Sequence, residues 1–408
     1  MTVAAAASRA PEPVIVAARR SPVGRAFKGS LREVRPDALL AAVIKAALAD
    51  LPADVAGTID DVIIGCAQPA GEAGFNIGRV SALLAGLSAP GVTVNRYCAS
   101  SLQSLRMAAH AISDGDGDVY LAGGVETVSR YRDGGADSGP ANPDLAAGAG
   151  HTAQCAADDF DWSPGTSLPD VYIAMGTTAE FVRRREGVTR REMDEFAALS
   201  HARTVAAQRE GYFDAEITPI ELRDGSFVTR DDCPREGTTV ERLAELKPAF
   251  HADGEVTAGN SCPLNDGAAA VVVMERTRAE SLGLRPLARI VDSAVAAVEP
   301  ELMGLGPVPA TTRLLERRGL AMSDIDLVEI NEAFAAQVIP SARLLGIDVG
   351  KLNTRGGAIA LGHPFGMSGA RLVMTLLNAL ARDDKSLGLA TMCIGGGQGM
   401  ALLLERLS

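Results

Sequence analysis

The chain has 408 residues, 47% of them hydrophobic, and a formal net charge of −12; one typical core does not accommodate that length, so two or three domains are expected. The acidic balance disfavours nucleic acid or an anionic membrane as a general partner, no apolar run approaches the roughly 18 residues of a membrane span, and the Ala-rich start 1–13 has no secretory pattern. Six scattered cysteines without CxxC predict reduced thiols in a cytoplasmic protein, and none of the five histidines is spaced with them as a zinc set.

In chain order, Val14-Ile15-Val16-Ala17-Ala18 reads as a strand, 36–50 as an amphipathic helix and 61–66 as a short buried strand. Then come a helix at 76–85, a strand at 91–95, a long apolar helix at 100–113 and a strand at 118–124. The order recurs after residue 286: strand 288–292, helix 308–318, strand 326–331, helix 332–345, helix 368–382, and strands 387–393 and 400–405. Such alternation predicts parallel sheets covered by helices, and the repeat predicts two pseudo-symmetric α/β halves. Between them the character changes. Residues 134–150 read as loop and 178–211 as a charged helical stretch, which suggests an inserted, substrate-covering segment.

Four segments carry chemistry. Cys98, in Asn95-Arg96-Tyr97-Cys98-Ala99-Ser100-Ser101, lies between a strand and a helix N-terminus, where backbone N–H groups and the helix dipole favour a thiolate and are expected to lower the thiol pKa. A buried structural cysteine is the competing reading. His363 follows Gly356-Gly357 and Gly362 just before the next helix; a satisfied polar histidine is its competing reading. Cys393 ends a strand and opens Gly395-Gly396-Gly397, and Asn331 begins Asn331-Glu332-Ala333-Phe334-Ala335-Ala336-Gln337. A core cysteine and a helix cap are the respective bland alternatives.

Together these segments resemble the thiolases, over essentially the whole chain. The resemblance implies a layered αβαβα core with an inserted loop domain. It divides the chain into a first half at 1–127 plus 265–285, a loop domain at 128–264 and a second half at 286–408. It implies that Cys98 carries an acyl group, His363 takes the Cys98 proton, and Cys393 exchanges a proton with the acetyl-CoA α-carbon at a moderately lowered pKa. Gly395 and Asn331 then belong to two oxyanion holes, the second through a water. Phe250, Ala258, Leu264, Met303, Ala333, Phe334, Met175 and Cys262 fall where thiolases bind pantetheine, and Arg235 where an arginine packs on the CoA adenine.

Coenzyme A and acyl-CoA enter as substrates; no tightly bound cofactor, metal or membrane span is expected, and a homodimer or homotetramer is. Several positions depart from the common pattern: Ser101, Cys262, Phe181, and Ala174 where acetoacetyl-specific members often carry histidine. The implied reaction is cleavage of 3-ketoacyl-CoA by CoA in fatty-acid degradation. The alternatives are an acetoacetyl-specific biosynthetic enzyme and a CoA- or lipid-binding protein without turnover. A ketoacyl synthase is disfavoured by Cys393 and the 331–334 segment, and a redox or metal protein has only the cysteine count in its favour.

Overall fold

The computed structural model describes residues 11–131 and 136–408. The parts of the Ala-rich start and of the 134–150 segment that fall at 1–10 and 134–135 lie outside the described residues. The chain runs β1 (Pro13–Arg20), β2 (Gly24–Arg25), α1 (Pro36–Ala49), β3 (Asp61–Gly65), α2 (Ile77–Leu84), β4 (Gly91–Val94), α3 (Ser100–Asp114) and β5 (Val119–Thr127). Next come α4 (Ala146–Ala157), α5 (Met175–Arg185), α6 (Arg190–Arg209), the hairpin β6 (Ile220–Glu221) and β7 (Phe227–Val228), and α7 (Val240–Ala244). The remainder is β8 (Asn265–Glu275), α8 (Arg276–Ser281), β9 (Ala288–Ala297), α9 (Pro307–Arg318), β10 (Leu327–Ile330), α10 (Ala335–Leu345), α11 (Ala358–Leu361), α12 (Phe365–Arg382), β11 (Leu387–Ile394) and β12 (Gln398–Arg406).

Side-chain alternation along the strands builds the layers. In β8, Ala268, Ala270, Val272 and Met274 face α1 and α2, whereas Ala269, Val271 and Val273 face α3 and α12. In β12, Met400, Leu402 and Leu404 join that same α3/α12 core, and Ala401 and Leu403 face α9 and α10. Helices α3 and α12 therefore form a middle layer between two sheet halves, giving the αβαβα order. The halves meet along one edge, where β1 pairs with β9 through Val14↔Arg289 and Ile15↔Ala288.

Several expectations are corrected. The sheet is mixed: β3 pairs parallel with β4 and β5, and β10 with β11, but β8 pairs antiparallel with β1 and β5, and β12 with β9 and β11. β8 escapes notice because it is buried on both faces and its apolar run shows no alternation. The 178–211 stretch is two helices, broken where Gly187 takes a φ of 64°. The end of the 134–150 segment is not loop but the first turn of α4. The helix after Asn331 starts only at Ala335, so Asn331 caps nothing; Phe334 holds the N-cap position.

Two glycines let the middle helices press their N-termini onto the first sheet half. A Cβ on Gly65 would sit 2.3 Å from the Ser100 carbonyl carbon, and one on Gly124 would sit 2.0 Å from the Gly366 oxygen. Ser101 adds a polar tie between the helices, its Oγ accepting the Ala370 N–H at 2.9 Å. The inserted segment is fastened from beneath by Arg20. This fully buried side chain on β1 bonds Glu216 at 2.8 Å and Asp231 at 2.7 Å.

Candidate active site

Cys98 and His363 stand just ahead of the two middle-layer helices, Cys98 before α3 and His363 before α12. Asn331 follows β10 and Cys393 lies near the end of β11, at the carboxyl edge of the parallel pairs. The nucleophile turn is tied by its own side chains. Asn95 Oδ1 accepts the Tyr97 N–H at 2.8 Å, Ser100 Oγ accepts the Arg96 N–H at 2.9 Å, and Ser100 donates to the Tyr97 carbonyl at 2.6 Å. Tyr97 itself takes a left-handed φ of 44°, the strained residue that presents Cys98.

The backbone N–H groups of Gly395 and of Cys98 itself act on the Cys98 sulfur in the direction of a lower pKa. Burial nevertheless dominates and pushes the Cys98 thiol up to about 11. Burial also raises Cys393 well above the usual thiol range. Both results reverse the lowering expected from the sequence. Desolvation of the thiolate outweighs the helix terminus and the two N–H groups.

His363 is buried, and burial followed by the Arg371 guanidinium lowers its pKa to about 3. Its neighbours fix the neutral tautomer. Ser368 Oγ lies 2.5 Å from Nδ1 and donates its own proton to the Pro364 carbonyl at 2.8 Å. The Ser368 oxygen thus accepts Nδ1–H, leaving Nε2 with its lone pair, 3.3 Å from Asn331 Nδ2. The His363 backbone N–H donates to Asn265 Oδ1 at 2.9 Å.

A chain of contacts joins the remaining groups. The Cys393 thiol donates to Gln337 Oε1 at 3.1 Å, and Gln337 Nε2 donates to the Asn331 carbonyl at 3.3 Å. Asn331 Oδ1 is buried and makes no hydrogen bond among the described residues. Glu126 accepts the N–H groups of Ala67, Gln68 and Gly366 at 2.8, 3.2 and 2.9 Å, tying the loop after β3 and the start of α12 to the end of β5.

Two cavities flank this cluster. One, of about 610 Å³, is lined by Cys98, Gly395 and Met175 together with Ala174 and Phe365. The other, of about 270 Å³, is lined by Arg235 and Ala258 together with His201, Leu243 and Ile359. Between them Met303, Ala333, Phe334 and Cys393 pack with Met175, Leu243 and Ile359. Cys262 is pinned beside them by its N–H on the Ala333 carbonyl at 3.0 Å, and Phe250 packs edge-on against Phe334 at 5.8 Å. Phe250 and Leu264 line neither of these cavities, and Leu264 is half exposed. Trp162, which could have refilled the space beside Ala174, packs instead on His151 and Phe181 beside a separate cavity.

The sequence reading missed Gln337, Ser368, Asn265 and Glu126. Gln337 closes the very segment that Asn331 opens and Ser368 lies one helical turn after His363, so both had a positional signal. Asn265 and Glu126 had none, since only the fold brings them to the site.

A family model described as the thiolase N-terminal domain matches residues 13–277, and one described as the thiolase C-terminal domain matches residues 284–406. The chain is 46% identical over 404 residues to a 3-ketoacyl-CoA thiolase of Salmonella typhimurium, covering 96% of this chain and 99% of that protein. It is 44% identical over 412 residues to a 3-ketoacyl-CoA thiolase of Bacillus subtilis, covering 97% and 99%. Among solved structures, the dimeric peroxisomal thiolase of Saccharomyces cerevisiae superposes with a TM-score of 0.87 at 38% identity, covering 98% of each chain. The acetyl-CoA acetyltransferase of Bacillus anthracis superposes with a TM-score of 0.83 at 38% identity, covering 97% of this chain and 99% of that one.

Proposed function

The chain belongs to the thiolase family, and from that premise we propose that it cleaves 3-ketoacyl-CoA with CoA, giving acetyl-CoA and a shortened acyl-CoA, through an acyl group on Cys98. The observation that carries the residue-level reading is the linked set Cys393–Gln337–Asn331–His363, beside the cavity that Cys98 and Gly395 line together.

In this reading His363 Nε2 takes the Cys98 proton as the sulfur attacks the C3 carbonyl. A thiol raised to about 11 and an imidazole lowered to about 3 are both neutral at rest. The thiolate is therefore not stored; proton transfer and attack proceed together as negative charge moves onto the substrate oxygen. Collapse of the adduct breaks the C2–C3 bond, and the Cys393 thiol delivers a proton to C2, releasing acetyl-CoA. Incoming CoA–SH then attacks the acyl-Cys98 carbonyl, its proton passes to the Cys393 thiolate, and Cys98 takes back the proton held on His363 and leaves as the thiol. The N–H groups of Gly395 and Cys98 serve one oxyanion. His363, with a water on the unpaired Asn331 oxygen, serves the other.

Coenzyme A enters through the smaller cavity, with Arg235 against its adenine and Ala258, Met303, Ala333, Phe334, Cys262 and Met175 along the pantetheine arm; Phe250 and Leu264, which line neither cavity, are left off that route. The acyl chain occupies the larger cavity. Its volume beside the small Ala174 supports chains longer than four carbons and disfavours the acetoacetyl-specific alternative. The unpaired edge of β4 supports a homodimer formed through that edge. Six free cysteines fit a reducing cytoplasm.

The test is thiolysis of 3-ketoacyl-CoA of four, six and eight carbons, with the labelled peptide mapped after acyl-CoA incubation. Activity that holds or rises with length, and label on Cys98, are expected. Label on Cys66, Cys155, Cys233 or Cys262 rejects the nucleophile, and a marked fall from four to six carbons rejects the open pocket.

A further inference from the structure

The cavity beside Cys98 is electrically one-sided. Among the described residues that line it there is no lysine or arginine, and Asp137 is the one carboxylate. That carboxylate is held in place. Gln68 Nε2 donates to Asp137 Oδ2 at 2.7 Å, and the Asp137 N–H donates back to Gln68 Oε1 at 3.1 Å. Tyr97, the residue before Cys98, lines the same cavity, and burial followed by the Asp137 carboxylate raises the pKa of its phenol. Much of the remaining wall, including Ala136, Ala141, Val171 and Ile173, is apolar.

We propose, resting on the thiolase reading, that Asp137 determines specificity by restricting this pocket to uncharged acyl chains and turning away 3-ketoacyl-CoA whose chain ends in a carboxylate. A terminal carboxylate entering the cavity sheds water, finds no cation to replace it, and faces a fixed like charge. Asp137 is exposed, so water screens this repulsion to roughly a few-fold, and the uncompensated desolvation of the incoming carboxylate adds to it. A methyl-ended chain of equal length pays no such penalty and buries its methylenes against the apolar wall. Because Gln68 ties Asp137 to the loop after β3 through two hydrogen bonds, the charge keeps its place when the chain arrives.

The test compares kcat/KM for thiolysis of an eight-carbon methyl-ended 3-ketoacyl-CoA with its ω-carboxylated counterpart, at low and high salt, in the wild type and in Asp137→Asn and Asp137→Glu. The wild type is expected to prefer the methyl-ended chain by roughly tenfold or more. That preference should shrink with salt, shrink in Asp137→Asn and persist in Asp137→Glu. Equal rates on both chains in the wild type overturn the proposal, as does a preference unmoved by salt and by Asp137→Asn alike. Should Asp137→Asn fail to fold, the wild-type salt response decides alone. No thiolysis of the methyl-ended chain would instead overturn the thiolase reading beneath it.

Discussion

Ser368→Ala tests how the imidazole is held. In the wild type the Ser368 oxygen accepts His363 Nδ1–H at 2.5 Å, and Asn331 Nδ2 points at Nε2 from 3.3 Å. Removing the hydroxyl leaves two outcomes. Either Nδ1–H stays, buried and unpaired, or the proton moves to Nε2, where it opposes the Asn331 amide and the ring no longer accepts from Cys98. Leaving a buried donor unsatisfied costs about 1–3 kcal/mol. Through tautomer shift or misplacement, that corresponds to a loss of roughly 5- to 150-fold in acyl transfer. The Pro364 carbonyl does not suffer, because it keeps the N–H groups of Met367 and Ser368, each at 3.0 Å. The assay is single-turnover acylation of Cys98, paired with nitrogen NMR of the His363 ring, which reports which nitrogen carries the proton. Acylation within about twofold of wild type, with an unchanged ring spectrum, would refute the tautomer assignment.

Cys393→Ala should still acylate Cys98 from an acyl-CoA donor but should exchange the acetyl-CoA α-proton about 10²- to 10⁴-fold more slowly; near-normal exchange removes Cys393 from the acid/base role. Arg20→Met strands Glu216 and Asp231 without their buried cation, and denaturant unfolding should show a loss of about 3–5 kcal/mol; a variant as stable as wild type contradicts the fastening role. His201 is held neutral in the fold, its pKa lowered to about 4 by burial and then by Arg235, while its Nδ1 accepts the Arg235 N–H at 3.2 Å. Because the unfolded chain binds this proton first, wild-type stability relative to His201→Gln should fall as pH drops from about 6.5 towards 4, by up to about 2 kcal/mol at pH 5. Parallel pH profiles for the two proteins would contradict that.

The elements with clear periodicity were legible in the sequence. α1, α3, α9 and the paired strands β11 and β12 lie within a few residues of where the pattern puts them. β8 was not, because a strand buried on both faces carries no alternation to read, although it sits between β1 and β5 in the first sheet half. Nor was the antiparallel pairing, since strand direction depends on crossovers that local pattern does not encode. At the site, His363 and Cys393 stood out by their glycine-rich surroundings and Cys98 by its place between a strand and a helix N-terminus. Their acidities were misjudged because the helix terminus at Cys98 is visible in sequence while the depth of burial is not.

The middle layer imposes an order in time. Cys98 heads one of its helices and His363 heads the other, while Cys393 and Gly395 lie within the last few dozen residues. A chain emerging from the ribosome thus displays Cys98 well before the proposed base, second thiol and oxyanion donor follow it. Contacts so distant along the chain form late in folding. Until the second half docks on the first, the Cys98 thiol is an ordinary cysteine.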